Sequence, residues 1–246
     1  MVKPLFLGLL GLLGLLFWSC TAPAPPQTPS SPASNVSTVQ HVGAMRNVMW
    51  KGELGASVQL DTIRPNAHLL ALGPVSGLRG EIMALDGEVY VSRVSQDAQM
   101  TVEKEPKTGA PFLVYANVPE WQEIPLPATL KSIPELEALL DSITQTRVRP
   151  FALKLEGKVA SALIHVQNLA PGTNVSSPQE AHQGQVKYPL KDVEATIAGF
   201  FSTEHQGIFT HHDAYLHLHL LTADEQAMGH LDALEIGKMK LYLSRQ

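Results

Sequence analysis

The chain has 246 residues with a formal net charge of −5, and its pI is near 6.0. This acidic balance gives no sign of a nucleic-acid partner, because such surfaces are normally basic. There are no internal repeats and no Gly-rich phosphate loop. Cys20 is the single cysteine, so an intramolecular disulfide is excluded and the fold must be stabilised by core burial.

The first twenty residues are typical of an export signal. Lys3 precedes an apolar run from Pro4 to Trp18, which is short for a membrane span, and Ser19 and Cys20 follow it. A small residue before a lone cysteine at this position favours lipoprotein processing, with acylation of Cys20. A plain cleaved signal and a retained anchor are the alternatives.

The composition along the sequence divides the chain into three parts. Residues 21–34 are rich in Pro, Ser, Thr and Ala, a composition that predicts an unfolded tether. Residues 35–246 are long enough for one large domain, with a candidate division into halves at about 35–148 and 149–246. We therefore expect an exported protein of the cell envelope or periplasm, whose contact with the membrane is a lipid anchor at Cys20.

Local signals predict one hairpin and one helix with particular clarity. Asp86-Gly87, the dipeptide of a tight turn, separates two alternating apolar segments in EIMALDGEVYVSRV. In SIPELEALLDSITQT, Ser132 and Glu135 form a capping box ahead of leucines spaced for one helix face.

Most other segments read as strands. They are FALKLEG, VASALIHV, ATIAGFFS, AYLHLHLL and MKLYLS, with a Pro/Gly/Ser/Gln-rich loop near 170–186 and a short helix predicted within 40–49. The sequence thus predicts an α+β fold that is mostly β, with mixed or antiparallel sheets and few helices.

The histidines form the most informative pattern. Of ten in the chain, most lie between His205 and His230. His217 and His219 are two apart in an alternating stretch, so both imidazoles project from the same face of a strand. The TADEQA segment is a candidate turn that brings His230 back beside them. Three neutral imidazoles suit zinc and leave coordination positions open.

The pattern also has a simpler interpretation, a polar strand face with unrelated histidines. His211 and His212 precede the strand as a consecutive pair, which favours loop or surface positions, with a contact to substrate or metal access as the alternative for His212. The remaining histidines are isolated, and no chemistry is assigned to His41, His68, His165, His182 and His205.

Two regions resemble the alpha-acetolactate decarboxylase family. VSGLRGEIMALDGEVYVSRV is similar to the family's Gly-Leu-Asp-Gly-Glu-Leu run with its following Leu-Asp-Gly and Tyr. Downstream, ATIAGFFSTE and YLHLHLLTADEQAMGHLD are similar to its Gly-Phe-Tyr-Ser-Pro-Glu, His-Leu-His-Phe and Gly-Gly-His-Val-Leu-Asp elements, and the spacing of the three histidines matches. The resemblance implies an acetolactate decarboxylase-like fold.

The resemblance also implies site residues. The metal ligands map onto His217, His219 and His230, and a carboxylate at the metal maps onto Glu81. The family's active-site arginine corresponds to Lys154 in FALK. A lysine keeps the positive charge but cannot make the planar, bidentate hydrogen bonds that an arginine makes to a carboxylate or enediolate. The family's glutamate in a C-terminal tail has no counterpart here, since only Glu235 follows the third histidine.

The implied activity is metal-dependent decarboxylation of 2-acetolactate to acetoin and carbon dioxide. Zn²⁺ is the expected cofactor, and a small hydroxy-keto acid is the expected partner. Two alternatives stay open: a lipid-anchored zinc-binding protein of the same fold without decarboxylase activity, and a zinc-dependent lyase or hydrolase acting on another small carboxylate. The sequence leaves the oligomeric state open.

Overall fold

The computed structural model describes residues 1–2 and 37–246. The described residues from 37 to 246 belong to one compact unit. The predicted signal segment (1–20), including Cys20, and the tether (21–34) lie outside the described residues apart from the first two. Among the described residues, the helices are all too short or too polar to cross a bilayer.

The described chain is built mainly from antiparallel strands. The strands are β1 (Gln40–Val42), β2 (Val58–Gln59), β3 (Leu69–Pro74), β4 (Glu81–Leu85), β5 (Glu88–Val94), β6 (Met100–Lys104), β7 (Gly109–Ala110), β8 (Leu113–Asn117), β9 (Trp121–Ile124), β10 (Phe151–Val166), β11 (Val186–Phe201), β12 (Leu216–Thr222) and β13 (Met228–Ser244). The α-helices are α1 (Met45–Lys51), α2 (Ile133–Ile143) and α3 (Pro178–Ala181), and one 3₁₀ turn covers Leu60–Thr62. This confirms the predicted mostly-β fold class.

The first sheet has six strands in the order β1-β8-β3-β4-β5-β6. All of its pairings are antiparallel, and β2 and β7 form a separate short pair. The predicted hairpin is confirmed between β4 and β5. Asp86 and Gly87 both have positive φ, 47° and 84°, as a tight primed turn requires.

The second sheet closes on itself. β10 pairs with β11 along one edge and with β13 along the other, while β12 joins β11 to β13, and β9 extends the far end of β13. Alternate residues fill the inside of this ring, among them Leu153, Ile197 and Leu218. The intervening residues point outward, where Ala198, Phe200 and Met228 of the ring pack against Leu72 and Met83 of the first sheet. A layer of side chains therefore lies between the ring and the first sheet.

Helix α2 confirms the predicted capping box. The Ser132 hydroxyl accepts a hydrogen bond from the Glu135 N–H, and the Glu135 carboxylate accepts one from the Ser132 N–H. Leu136 and Leu140 are fully buried against the ring, since both belong to its core cluster. The helix therefore covers one side of the ring.

Other boundaries differ from the sequence-based ones. FALKLEG and VASALIHV form the single long strand β10, because Gly157 adopts a positive φ without ending the hydrogen-bond ladder. The helix predicted within 40–49 begins later, at Met45, after β1 has paired with β8. The loop near 170–186 contains α3, which is capped by the Ser177 hydroxyl.

Candidate metal centre

Strand geometry brings three histidines together on the outer face of the ring. His217 and His219 alternate along β12 with residues that point into the ring, so their imidazoles share one face. His230 is the register partner of His219 on β13, across the turn that follows Thr222. Directly opposite residues on antiparallel strands have neighbouring side chains. The predicted grouping is therefore present.

The three imidazoles are close enough to share an ion. One ring nitrogen from each of His217, His219 and His230 lies within 4.8 Å of the other two. Their ring centroids are 5.1 to 5.5 Å apart. His217 and His219 are buried, and His230 is partly buried at the wall of a cavity.

The electrostatics of the cluster fit a metal. Burial lowers the pKa of His217 to about 3, and burial together with the neighbouring histidines also lowers the pKa of His219 and His230. The rings are therefore neutral at physiological pH, the form that binds metal. Among the described residues, Nδ1 of His217 lacks a hydrogen-bond partner, and the ring nitrogens of His219 make no hydrogen bond of good geometry, although the ring approaches the Ile82 backbone. Buried polar atoms rarely stay unpaired, and a bound cation would satisfy them.

Glu81 of the first sheet faces this cluster. It begins β4, its side chain is 3 % exposed, and Oε2 lies 3.7 Å from Nε2 of His219. Its Oε1 accepts a hydrogen bond of 3.2 Å from the Gln167 N–H. Burial raises the pKa of Glu81 well above its usual range, and the Gln167 hydrogen bond opposes this only in part. The expected carboxylate is thus at the cluster, and it comes from a different sheet.

Glu81 reaches this position because the chain before it is a tight loop. Gly80 has a φ of 139°, and a Cβ at that position would lie 2.3 Å from the Ser92 carbonyl oxygen. Only glycine fits such an approach. The Gly-Glu pair noted in the sequence is therefore a packing requirement as well as a motif.

The structure does not bring Lys154 to the histidines. Its ammonium lies 2.6 Å from Oε1 of Glu156 and over the rings of Trp121 and Tyr242, 5.1 Å from each centroid. In register, Lys154 is opposite Ala198, which is opposite His219. Two strand spacings, roughly 10 Å, therefore separate the backbones of Lys154 and His219. Lys154 is also not among the residues that line the cavity beside the histidines, so its site role stays a prediction that these contacts do not support.

Three histidines that the sequence left without a metal-site role line the same cavity. They are His165, His182 and His211. The ring of His165 lies 4.7 Å from that of His230 and its Nδ1 is 2.6 Å from Oδ1 of Asp232, while His211 is 5.5 Å from His230. His212 instead is exposed to solvent.

The rest of the cavity wall is mainly apolar. Helix α1 contributes Met45, Val48 and Met49, and other contacts come from Pro74, Leu78, Phe112 and Ala181. The lining contains no arginine or lysine among the described residues. An apolar wall with a few convergent polar groups is typical of a small-molecule site.

Comparison with known proteins decides the family. The family model for alpha-acetolactate decarboxylase matches residues 47–246 of this chain. The chain belongs to the alpha-acetolactate decarboxylase family. Members of this family are carboxy-lyases, so the expected enzyme class and the resemblance found in the sequence are confirmed.

Solved structures show that the decarboxylase fold extends over most of the chain. Alpha-acetolactate decarboxylase from Bacillus subtilis strain 168 superposes with a TM-score of 0.69 at 20 % identity, covering 85 % of each chain. The enzyme from Bacillus subtilis subspecies spizizenii gives 0.68 at 20 % identity, covering 85 % of this chain and 86 % of that one. A Staphylococcus aureus protein of unknown function, similar to alpha-acetolactate decarboxylase, gives 0.66 at 16 %, covering 84 % of each. A search of curated protein sequences gave no significant match.

Proposed function

We propose that the protein catalyses the metal-dependent decarboxylation of 2-acetolactate to acetoin and carbon dioxide, with zinc as the metal. The observation that carries the proposal is the convergence of three histidines in a member of this decarboxylase family, two of which have buried ring nitrogens without a hydrogen-bond partner among the described residues. The acidic net charge and the small cavity favour a small-molecule substrate over a nucleic acid.

In this proposal His217, His219 and His230 hold the ion. When bound, zinc supplies a Lewis acid that polarises oxygen atoms of the substrate and stabilises negative charge there. Three protein ligands would leave coordination positions open to the substrate. The apolar side chains of α1 and Phe112 exclude water, which strengthens every electrostatic interaction in the cavity.

Glu81 is the proposed proton carrier. Decarboxylation breaks the bond between the carboxylate and the adjacent carbon, and the bonding electron pair stays on the substrate as carbon dioxide leaves. That carbon must then receive one proton to give acetoin. Glu81 is the single carboxyl group in the cavity lining of the described chain, and it contacts the metal-binding histidines. A positioned acid of this kind contributes about 10²–10⁴-fold to a rate.

The proposal is tested with purified, zinc-loaded protein and racemic 2-acetolactate. Acetoin formation above the spontaneous rate is the expected result, and the His219→Ala protein is the matched control. Metal bound in stoichiometric amount without acetoin would contradict the proposal. It would favour the alternatives, a zinc-binding member of the fold or an enzyme for another small carboxylate.

We also propose, from the sequence pattern alone, that the protein is exported and anchored by acylation of Cys20. Cys20→Ser is the direct test, with radiolabelled fatty acid as the probe in cells that express the full chain. Label on the wild-type protein and none on the variant is expected. An unlabelled wild-type protein would contradict lipid anchoring.

A further inference from the structure

We propose that His165 accepts a hydrogen bond from the hydroxyl group of the substrate, and so selects 2-hydroxy acids over their deoxy analogues. The inference rests on the proposed function and adds a specificity-determining contact to the same cavity. His165 is 5 % exposed and lines the cavity, and its ring lies beside that of His230 with the centroids 4.7 Å apart.

The position of His165 is fixed by the sheet. It pairs with His230 of β13, which in turn pairs with His219 of β12. Three histidines therefore stand in one row across three strands, with His165 adjacent to the metal-binding set. A contact built on a strand is held more rigidly than one on a loop, such as that of His211.

Asp232 orients the ring. Its Oδ1 lies 2.6 Å from Nδ1 of His165, and its Oδ2 lies 3.1 Å from the ammonium of Lys187. A carboxylate in an ion pair accepts hydrogen bonds, so Nδ1 of His165 carries the hydrogen. A ring that donates from Nδ1 accepts at Nε2, and the described residues give Nε2 no hydrogen-bond partner.

Gln167 provides an independent sign that a hydrogen-bond donor is missing. It follows His165 by two residues, lines the same cavity and is 7 % exposed. Its side-chain oxygen is buried and has no hydrogen-bond partner among the described residues. The wall at the end of β10 thus presents two acceptor atoms. Of the polar groups in 2-acetolactate, only the hydroxyl donates a hydrogen bond.

The test compares two substrates on three variants. The substrates are 2-acetolactate and its deoxy analogue, 2-methyl-3-oxobutanoate. The variants are His165→Leu, which removes the acceptor, His165→Gln, which restores an acceptor oxygen, and His68→Leu as a control. His68 is exposed at the opposite end of β3 from the site. Zinc content is measured for every protein.

We expect His165→Leu to lower kcat/KM for 2-acetolactate by about 10- to 100-fold, the loss caused by leaving a buried hydrogen-bonding group unpaired. The rate for the deoxy analogue should stay within about twofold of wild type, because this compound has no hydroxyl group that could contact His165. The zinc content should also stay within about twofold of wild type. His165→Gln should recover most of the loss, and His68→Leu should match the wild type.

A binding measurement gives a second readout that needs no turnover. Calorimetric titration with 2-hydroxyisobutyrate and isobutyrate should show that His165→Leu weakens only the hydroxy acid. Equal losses for both compounds, or no loss for either, would overturn the inference. A wild-type protein that makes no acetoin yet shows this selective loss would instead refute the proposed substrate and leave the hydroxyl contact standing.

Discussion

His219 and His230 face each other directly across the β12–β13 ladder, and their rings are 5.5 Å apart. The pair is separated by ten residues of sequence, and the tight turn after Thr222 brings the two strands together. The metal centre therefore depends on a local hairpin for two of its ligands.

Replacing His219 by Ala should abolish both metal binding and turnover. His219 is fully buried, and its removal leaves two of the three ligands, His217 and His230, in the cluster. Zinc content by mass spectrometry and acetoin formation are the two measurements. Acetoin production at the wild-type rate by the variant would show that the reaction does not use this centre.

A substitution at Gly199 should damage the site without touching a ligand. A Cβ on Gly199 would lie 1.8 Å from the main-chain oxygen of His217, so β12 must shift to accommodate Gly199→Ala. We expect zinc affinity to fall by at least about tenfold, since ligand geometry is displaced. Gly55→Ala is the matched control, because a Cβ there meets no atom within 4 Å. Equal zinc affinity in the two variants would contradict this reasoning.

Glu81→Gln should separate catalysis from folding. The amide oxygen of the replacement can still accept the Gln167 hydrogen bond, so we expect the free energy of unfolding to change by less than about 1 kcal/mol. The group loses its transferable proton, so kcat should fall by about 100-fold or more. Urea unfolding and steady-state kinetics measure the two effects. A variant with wild-type kcat would remove Glu81 from the proposed mechanism.

The stability of the metal-free protein should depend on pH through His217. Its pKa is lowered to about 3 in the folded protein, against an ordinary value of 6.5. Between these values the unfolded chain binds a proton that the folded chain does not, so this group reduces the free energy of unfolding as pH falls. The contribution approaches about 1.4 kcal/mol per pH unit.

The matched variant for this pH effect is His217→Gln. Urea titrations with a chelator at pH 5 to 7 should show a shallower pH dependence for the variant than for the wild type. Identical slopes would mean that the pKa of His217 is the same in the folded and the unfolded chain, contrary to its burial. Contributions from Glu81 and the other histidines are common to both proteins and largely cancel in the difference.

The parts of the fold that the sequence predicted correctly depend on local chemistry. The Asp86-Gly87 turn and the Ser132 capping box are fixed by residues within a few positions of each other. The grouping of His217, His219 and His230 could be predicted because strand alternation and one turn are enough to place all three.

The parts that the sequence missed depend on long-range register. His165 is 65 residues from His230 in the sequence, and the two are neighbours only because β10 pairs with β13. The register of that pairing shifts between Leu163 and Ile164, just before His165. The residues around His165 in the sequence form an apolar strand, and nothing in that local pattern indicates that His230 would lie beside it. Lys154 shows the converse, since a motif match predicted a site role but its register places it beside Glu156 and Tyr242.

The origin of Glu81 in the first sheet has a thermodynamic consequence. The histidine ligands belong to the closed ring, whereas Glu81 is carried by the layer that packs against it. Because the pocket is complete only when both layers are docked, an ion or substrate held between them binds the docked state in preference to the separated one. A higher ligand concentration should therefore strengthen the association of the two layers. Each layer should resist heat and proteolysis better when the pocket is filled.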